Sequence, residues 1–243
     1  MIKLSAKLHK WTALIVGAQL LFWFASGLFF AVVPIEWVRS EHRKAEQAAV
    51  PLALEAAASG LGRIAAGGAA PADKVELRTL LGRPVALVTR GEARPVLHDL
   101  ATSRPLSPLP QATAVQIAEA DLAGAEKATA VTFITRESTE YRGALPAWRV
   151  DFAGSPEISL YVAADTGAVG ARRSTLWRAY DFLWSLHIMD YRGHEDFNNP
   201  LLIAAASLGL IVFVTGAILF PSRLGLTAWR KRRARLRQAS LPA

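Results

Sequence analysis

All twenty acidic residues of this chain lie between two long uncharged stretches, Trp11–Ile35 and Phe197–Ser222. The ends outside them carry only positive charge: Lys3, Lys7 and Lys10 before the first, and Arg223, Arg230, Lys231, Arg232, Arg233, Arg235 and Arg237 after the second. The central residues 36–196 hold the other 18 Lys and Arg against 20 Asp and Glu, so they are nearly neutral. A net charge of +8 on a soluble protein would suggest nucleic acid, but here the excess sits in tails that flank apolar runs. Each run exceeds the roughly 20 apolar residues that cross a bilayer as a helix. Lys and Arg flanks stay on the cytoplasmic side, which predicts cytoplasmic termini and an exported central region large enough to bury its own core.

These features predict six segments: a cytoplasmic N-terminus (1–10), a first span (11–35), a periplasmic domain (36–176), an interfacial amphipathic helix and loop (177–196), a second span (197–222) and a basic cytoplasmic tail (223–243). The expected location is a bacterial inner membrane. The first run is too long for an ordinary signal-peptide core, and Ala31-Val32-Val33-Pro34 makes a poor cleavage site. There is no cysteine, so disulfides, thiolate catalysis and Cys-held metals are excluded.

Within the first span, Gln19 and Ser26 are seven residues apart and share a face; the expectation is that they hydrogen-bond to the second span. In the second, Ala205, Gly209 and Gly216 form a face of small residues that lets another helix approach, either the first span or another subunit. Neither span contains Asp, Glu, Lys, Arg or His, which argues against a proton relay in them.

Residues 38–50 read as a solvated linker or helix extension. From Pro51 a helix-then-strands pattern occurs twice. The first is PLALEAAASGLGRIA followed by VELRTLLGRPVALVT and RPVLHDLAT. The second is PQATAVQIAEADLAG, with Ala114, Ile117, Ala118 and Leu122 at helical spacing, followed by TAVTFITRES, PAWRVDF and ISLYVAADTG. Pro95–Ser103 lies over Ser159–Gly167 at an offset of 64, which suggests an internal duplication. The predicted fold class is α+β, with two helix-plus-antiparallel-sheet units between two transmembrane helices.

Ala147-Trp148-Arg149-Val150-Asp151-Phe152, then Ser159-Leu160-Tyr161-Val162, then Asp165-Thr166-Gly167-Ala168-Val169 resembles a PepSY domain. The family usually has Asp-Pro after Tyr-Val. This chain has Ala163-Ala164, while the first half keeps Asp99 at the corresponding place. His9-Lys10-Trp11 and Leu186-His187 resemble the His-x-Trp and Leu-His entries into spans of PepSY-associated transmembrane proteins. The resemblance implies a non-catalytic binding or regulatory module for a membrane or periplasmic partner in iron–siderophore uptake or membrane redox. It also admits a haem-binding reductase subunit and a membrane-tethered protease modulator.

Trp177, Tyr180, Trp184, His187 and Tyr191 recur at three- and four-residue steps and predict one aromatic helical face. The ordinary reading is an interfacial helix. The sharper one makes His187 the cofactor-binding residue, an axial ligand for haem or a metal, with His194 as a second donor. Asp190, Glu195 and Asp196 nearby read as a polar loop with at most weak cation binding. His42 and His98 read as solvated or structural. No nucleotide, serine-hydrolase or zinc-protease motif occurs. No catalytic residue is predicted, no cofactor beyond haem is implied, and the expected contacts are the lipid bilayer and one unidentified protein, with no nucleic acid.

Overall fold

The computed structural model describes residues 2–46, 50–67, 71–124, 126–154 and 157–225. The basic run Arg230–Arg237, expected to touch anionic lipid, lies outside the described residues. The chain divides into two compact units: one of residues 1–32 and 181–243, the other of residues 33–180.

The first unit is built on two long helices, α1 (Ile2–Val32) and α6 (Pro200–Arg223). Their apolar stretches, Leu4–Val32 and Pro200–Pro221, are long enough to cross a membrane. Large side chains on them point outward: Phe24 is 75% and Phe213 73% exposed. The core helix of a water-soluble protein would hide them; a lipid-facing helix does not.

Apart from Leu219 on α6, the buried residues of these helices are small or polar: Thr12, Val16 and Ser26 on α1, and Ala205 and Thr215 on α6. α1 and α6 pack against each other. A Cβ at Gly209 would meet Leu20 and Trp23 at 3.7 Å, and one at Gly216 would meet His9 Cε1 at 3.1 Å. The small-residue face of the second span therefore receives the first span of the same chain. Hydroxyls inside the apolar helices donate back to their own backbone, as Thr12 does to Leu8 O (2.8 Å) and Thr215 to Ile211 O (2.6 Å).

The second unit is α+β. After a short helix α2 (Ile35–Val38) and one 3₁₀ turn, helix α3 (Leu54–Ala66) leads into the antiparallel meander β1 (Lys74–Leu80), β2 (Arg83–Thr89), β3 (Val96–Asp99). Helix α4 (Gln111–Asp121) then leads into a second antiparallel sheet: β4 (Ala128–Ile134), β5 (Ala147–Phe152), β6 (Ile158–Ala163), β7 (Val169–Ser174). The chain leaves this unit along α5 (Thr175–Ile188).

Alternation along the strands sets the layers. In β2, Ala86 and Val88 face α3, packing with Ala57, Leu61 and Ile64; Val85 points the other way with Leu97 into the larger core. That core also holds Ala114, Ile117 and Ala118 of α4 and Val150, Phe152, Ile158, Leu160 and Val162 of the second sheet. Strand β6 is buried along its whole length, because the opposite face of its sheet is closed by Tyr141, whose ring stacks on Tyr161 at 4.8 Å. At Gly60 a Cβ would stand 2.4 Å from Leu100 O, so α3 approaches the β3 turn only because that residue is glycine.

The offset of 64 is visible in the backbone. The turn after β3 is closed by Ser103 N donating to Asp99 O, and the turn after β6 by Gly167 N donating to Ala163 O, both at 2.7 Å. Ser103 and Gly167 both have positive φ, 59° and 72°. In the first half the Asp99 carboxylate also accepts from Ala101 N and Thr102 N at 2.8 Å. The second half has Ala163 there and makes the turn with glycine instead.

Residues 38–46 are not a solvated linker. Val38 and Ser40 are buried, and the strand-like segment at Lys44 pairs with Leu122 through Ala45 N→Asp121 O and Ala123 N→Arg43 O, both 2.8 Å. Strand β7 has no counterpart among the sequence expectations.

Candidate functional site

The residues around His187 lie within the first unit. Helix α5 ends at Ile188, and Met189 turns the chain with φ 56°. The last carbonyls of a helix have no partner within it, and in an apolar setting each needs one. Here Gln19 Nε2 donates to Leu186 O (2.9 Å), Trp23 Nε1 to His187 O (2.7 Å) and Asn199 Nδ2 to Ile188 O (2.9 Å). Gln19 and Ser26 do share a working face of α1, but their partner is the end of α5 rather than the second span. Termination at Ile188 also places Tyr191 in the following loop, so the predicted five-residue aromatic face stops at His187.

His187 is held by Ser26, with Nδ1 to Oγ 2.7 Å. The Ser26 hydroxyl donates to Phe22 O at 2.6 Å. Its oxygen must then accept from the imidazole, so Nδ1 carries the proton and Nε2 keeps its lone pair. The ring sits among Phe30, Trp184 and Trp23 at centroid distances of 5.5, 6.3 and 6.5 Å. No hydrogen bond to Nε2 occurs among the described residues.

His9 repeats the logic at the other end of α1. Its Nδ1 lies 3.0 Å from Val212 O, which can only accept, so Nδ1 carries a proton. Gly216 leaves room for the ring, which lines a groove of about 760 Å³ with Lys7, Lys10, Trp11 and Phe220. His9 and Ser26 are 17 residues apart on one helix, roughly 25 Å at 1.5 Å per residue. The two imidazoles therefore serve separate places.

An imidazole whose Nδ1 is anchored and whose Nε2 is open suits axial ligation of haem iron or a single metal bond. His187 meets that requirement with aromatic walls; among the described residues there is no group of three or more metal-ligating side chains. His194 is engaged elsewhere, with Nδ1 2.6 Å from Asp181 Oδ2. The Asp190 carboxylate accepts from the N–H groups of Arg192, Gly193, Glu195 and Asp196 at 2.9–3.2 Å. These bonds hold its pKa far below the ordinary carboxylate range. It organises the loop. Asn199 Oδ1 accepts from Leu202 N at 2.9 Å, so Asn199 caps α6, with Pro200 in its first turn.

In the second unit the buried and half-buried carboxylates are tied to structural partners. Asp121 receives two bonds from Arg172, both 2.5 Å. Glu140 receives Arg178 Nε (2.8 Å) and Tyr161 Oη (2.7 Å); Asp151 receives Arg149 Nε (2.8 Å) and Ser159 Oγ (2.6 Å). Burial works against the charge on Glu140, but the Arg178 and Tyr161 bonds and the nearby guanidinium charges outweigh it, and the pKa is lowered. Burial and the Glu140 bond push the Tyr161 phenol well above its usual value. The network around Glu140 leaves no mark in the sequence because its members are spread from 140 to 178 and meet only across β5, β6 and α5. His42 stacks on Trp37 at 4.7 Å. His98 lies on β3 with neither ring nitrogen hydrogen-bonded.

Comparison with curated proteins and with solved structures returns no match. The PepSY-associated TM region family does match, over residues 6–241, and so takes in both long helices and the α+β unit between them; the chain belongs to that family.

Proposed function

We propose that this protein is a non-catalytic inner-membrane module, with both termini in the cytoplasm and the α+β unit in the periplasm, which binds or regulates a membrane or periplasmic protein in iron–siderophore uptake or membrane redox. The observation that carries this reading is the commitment of Asp99, Asp121, Glu140, Asp151 and Asp190 to turns and ion pairs. A carboxylate held that way is a fastener, not a general base. The basic flanks of the two apolar helices support the orientation.

A second reading, a haem-binding subunit of a membrane reductase, is favoured by one specific feature, the anchored His187 with its open Nε2. His187 would hold the iron, and Trp23, Phe30 and Trp184 would screen it from water. Bound haem would supply one-electron exchange. A second axial ligand would come from another subunit or from a small molecule. Restraint of a protease is a third role that the family resemblance implies, and no contact in the structure favours it over the others.

Purification in mild detergent separates these readings. A colourless protein that carries one stoichiometric partner supports the module. A Soret band that shifts on reduction and is lost in His187→Ala, with folding intact by circular dichroism, supports the haem subunit. A monodisperse protein with neither partner nor chromophore contradicts both.

A further inference from the structure

The seam between the two halves of the α+β unit holds a small cationic pocket that the reading above does not use. The end of β1, the C-terminal part of α4 and the start of β7 enclose about 240 Å³ there. Lys44, Arg78 and Arg172 line it, and Asp121 is the one carboxylate among its described lining residues. Asp121 is 4% exposed and paired with Arg172 through two bonds. That leaves Lys44 and Arg78 without a matching negative charge in the pocket. Lys44 makes no ion pair among the described residues. Arg78 reaches across the seam to donate from Nη2 to Thr166 O, while its Nε is buried with no hydrogen-bond partner. Burial lowers the Arg78 pKa, opposed by Glu76, which is itself paired with Lys74.

A partly buried guanidinium with an unmet donor is costly unless something negative joins it, and the ammonium lining the same pocket adds to the attraction for an anion. The remaining walls include Leu80, Ile117 and Val169. They offer contact to a methyl or short alkyl group, which an inorganic oxyanion lacks. We propose that this pocket binds an organic carboxylate with a small apolar body, its carboxylate on Lys44 and Arg78 and its apolar part against Leu80, Ile117 and Val169. The same chemistry is presented by a free short-chain acid and by the C-terminus of a peptide that ends in an apolar residue. The volume is below the range of about 300–1,000 Å³ typical of drug-sized ligands, so one such group fills it.

The test is isothermal titration of the full chain in detergent at fixed ionic strength, with butanoate, butanamide, inorganic phosphate, and a leucine-terminated tetrapeptide in free-acid and amidated forms. Butanoate binding without butanamide binding identifies a small acid. Binding of the free-acid peptide alone identifies a peptide terminus. In either case Lys44→Gln and Arg78→Gln each weaken binding by about tenfold or more, the loss of one charge-assisted contact. Lys44 is exposed, so its variant keeps the experiment decisive if Arg78→Gln fails to fold. The proposal is overturned if neither carboxylate binds, if the amides bind equally, if phosphate binds as tightly as the carboxylate, or if Lys44→Gln leaves the affinity unchanged.

Discussion

Replacing Gly167 with alanine separates two costs that the structure assigns to different atoms. Gly167 has φ +72°, and a Cβ there would meet Leu109 Cδ1 at 2.9 Å and Ile117 Cδ1 and Leu80 Cδ1 at 3.3 Å. Leu109 and Ile117 are core residues, 3% and 6% exposed. Gly82, in the β1–β2 turn, has φ +76° and nothing within 4 Å of a Cβ. Gly82→Ala therefore pays only for the left-handed backbone, about 1–2 kcal/mol, less the 0.4–1 kcal/mol or so gained by restricting the unfolded chain. Gly167→Ala adds the displacement of three methyl groups, about 1–2 kcal/mol for mild overpacking. The expected losses are about 1 and 2–3 kcal/mol. At about 3 °C per kcal/mol for a chain of this size, Tm falls by about 3 °C and by 6–9 °C. Thermal unfolding in detergent, followed by far-UV circular dichroism, measures both. Equal shifts in the two variants would refute the packing of α4 and β1 against the β6–β7 turn.

Other perturbations follow from the same contacts. The Glu140 pKa is lowered on folding, so its contribution is present above the ordinary carboxylate pKa of about 4.3 and is lost as pH falls through the lower folded value. Glu140→Gln should cost about 2 kcal/mol at pH 7 and flatten the fall in Tm between pH 5 and 3; an unchanged acid limb would contradict this. Trp23→Phe leaves the His187 carbonyl without its donor and should lower stability by about 0.6–2 kcal/mol, measured by unfolding in a mixed denaturing detergent. Gly209→Ala, with 3.7 Å clearance, should be neutral, whereas Gly216→Val should displace His9 and loosen α1 from α6, read as a disulfide that no longer forms between cysteines placed at facing positions.

Much of the architecture was legible because it depends on local pattern. Charge segregation marked the two long helices, and runs rich in β-branched and aromatic residues covered six of the seven strands. The offset of 64 was legible as a similar pattern of residue types in Pro95–Ser103 and Ser159–Gly167, and both segments end on a residue with positive φ, Ser103 and Gly167. Strand β7 was missed because VGARRS carries two arginines. One is neutralised by Asp121, and the other, Arg173, donates to Glu140 O and lies over the Trp177 ring at 4.0 Å. Such compensation comes from residues far away in the chain and leaves no periodic trace. The same holds at the histidine site. Leu186-His187 was noticed for its type, but Ser26, Trp23 and Gln19 lie some 160 positions away, and the hydroxyl that fixes the imidazole tautomer is known only from the fold. Spacing alone puts Tyr191 on the helix, because the period continues past Ile188, where the backbone does not.

The orientation of the chain bears most weight, and the absence of native cysteine makes it directly measurable. Glu92→Cys, in an exposed loop of the α+β unit, and Ser240→Cys, in the basic tail, are expressed separately and treated in right-side-out spheroplasts with a membrane-impermeant maleimide. The predicted result is labelling of Cys at 92 at once and of Cys at 240 only after the membrane is opened. The reverse pattern, or both sites labelled in sealed spheroplasts, would contradict a twice-crossing chain with its basic ends inside.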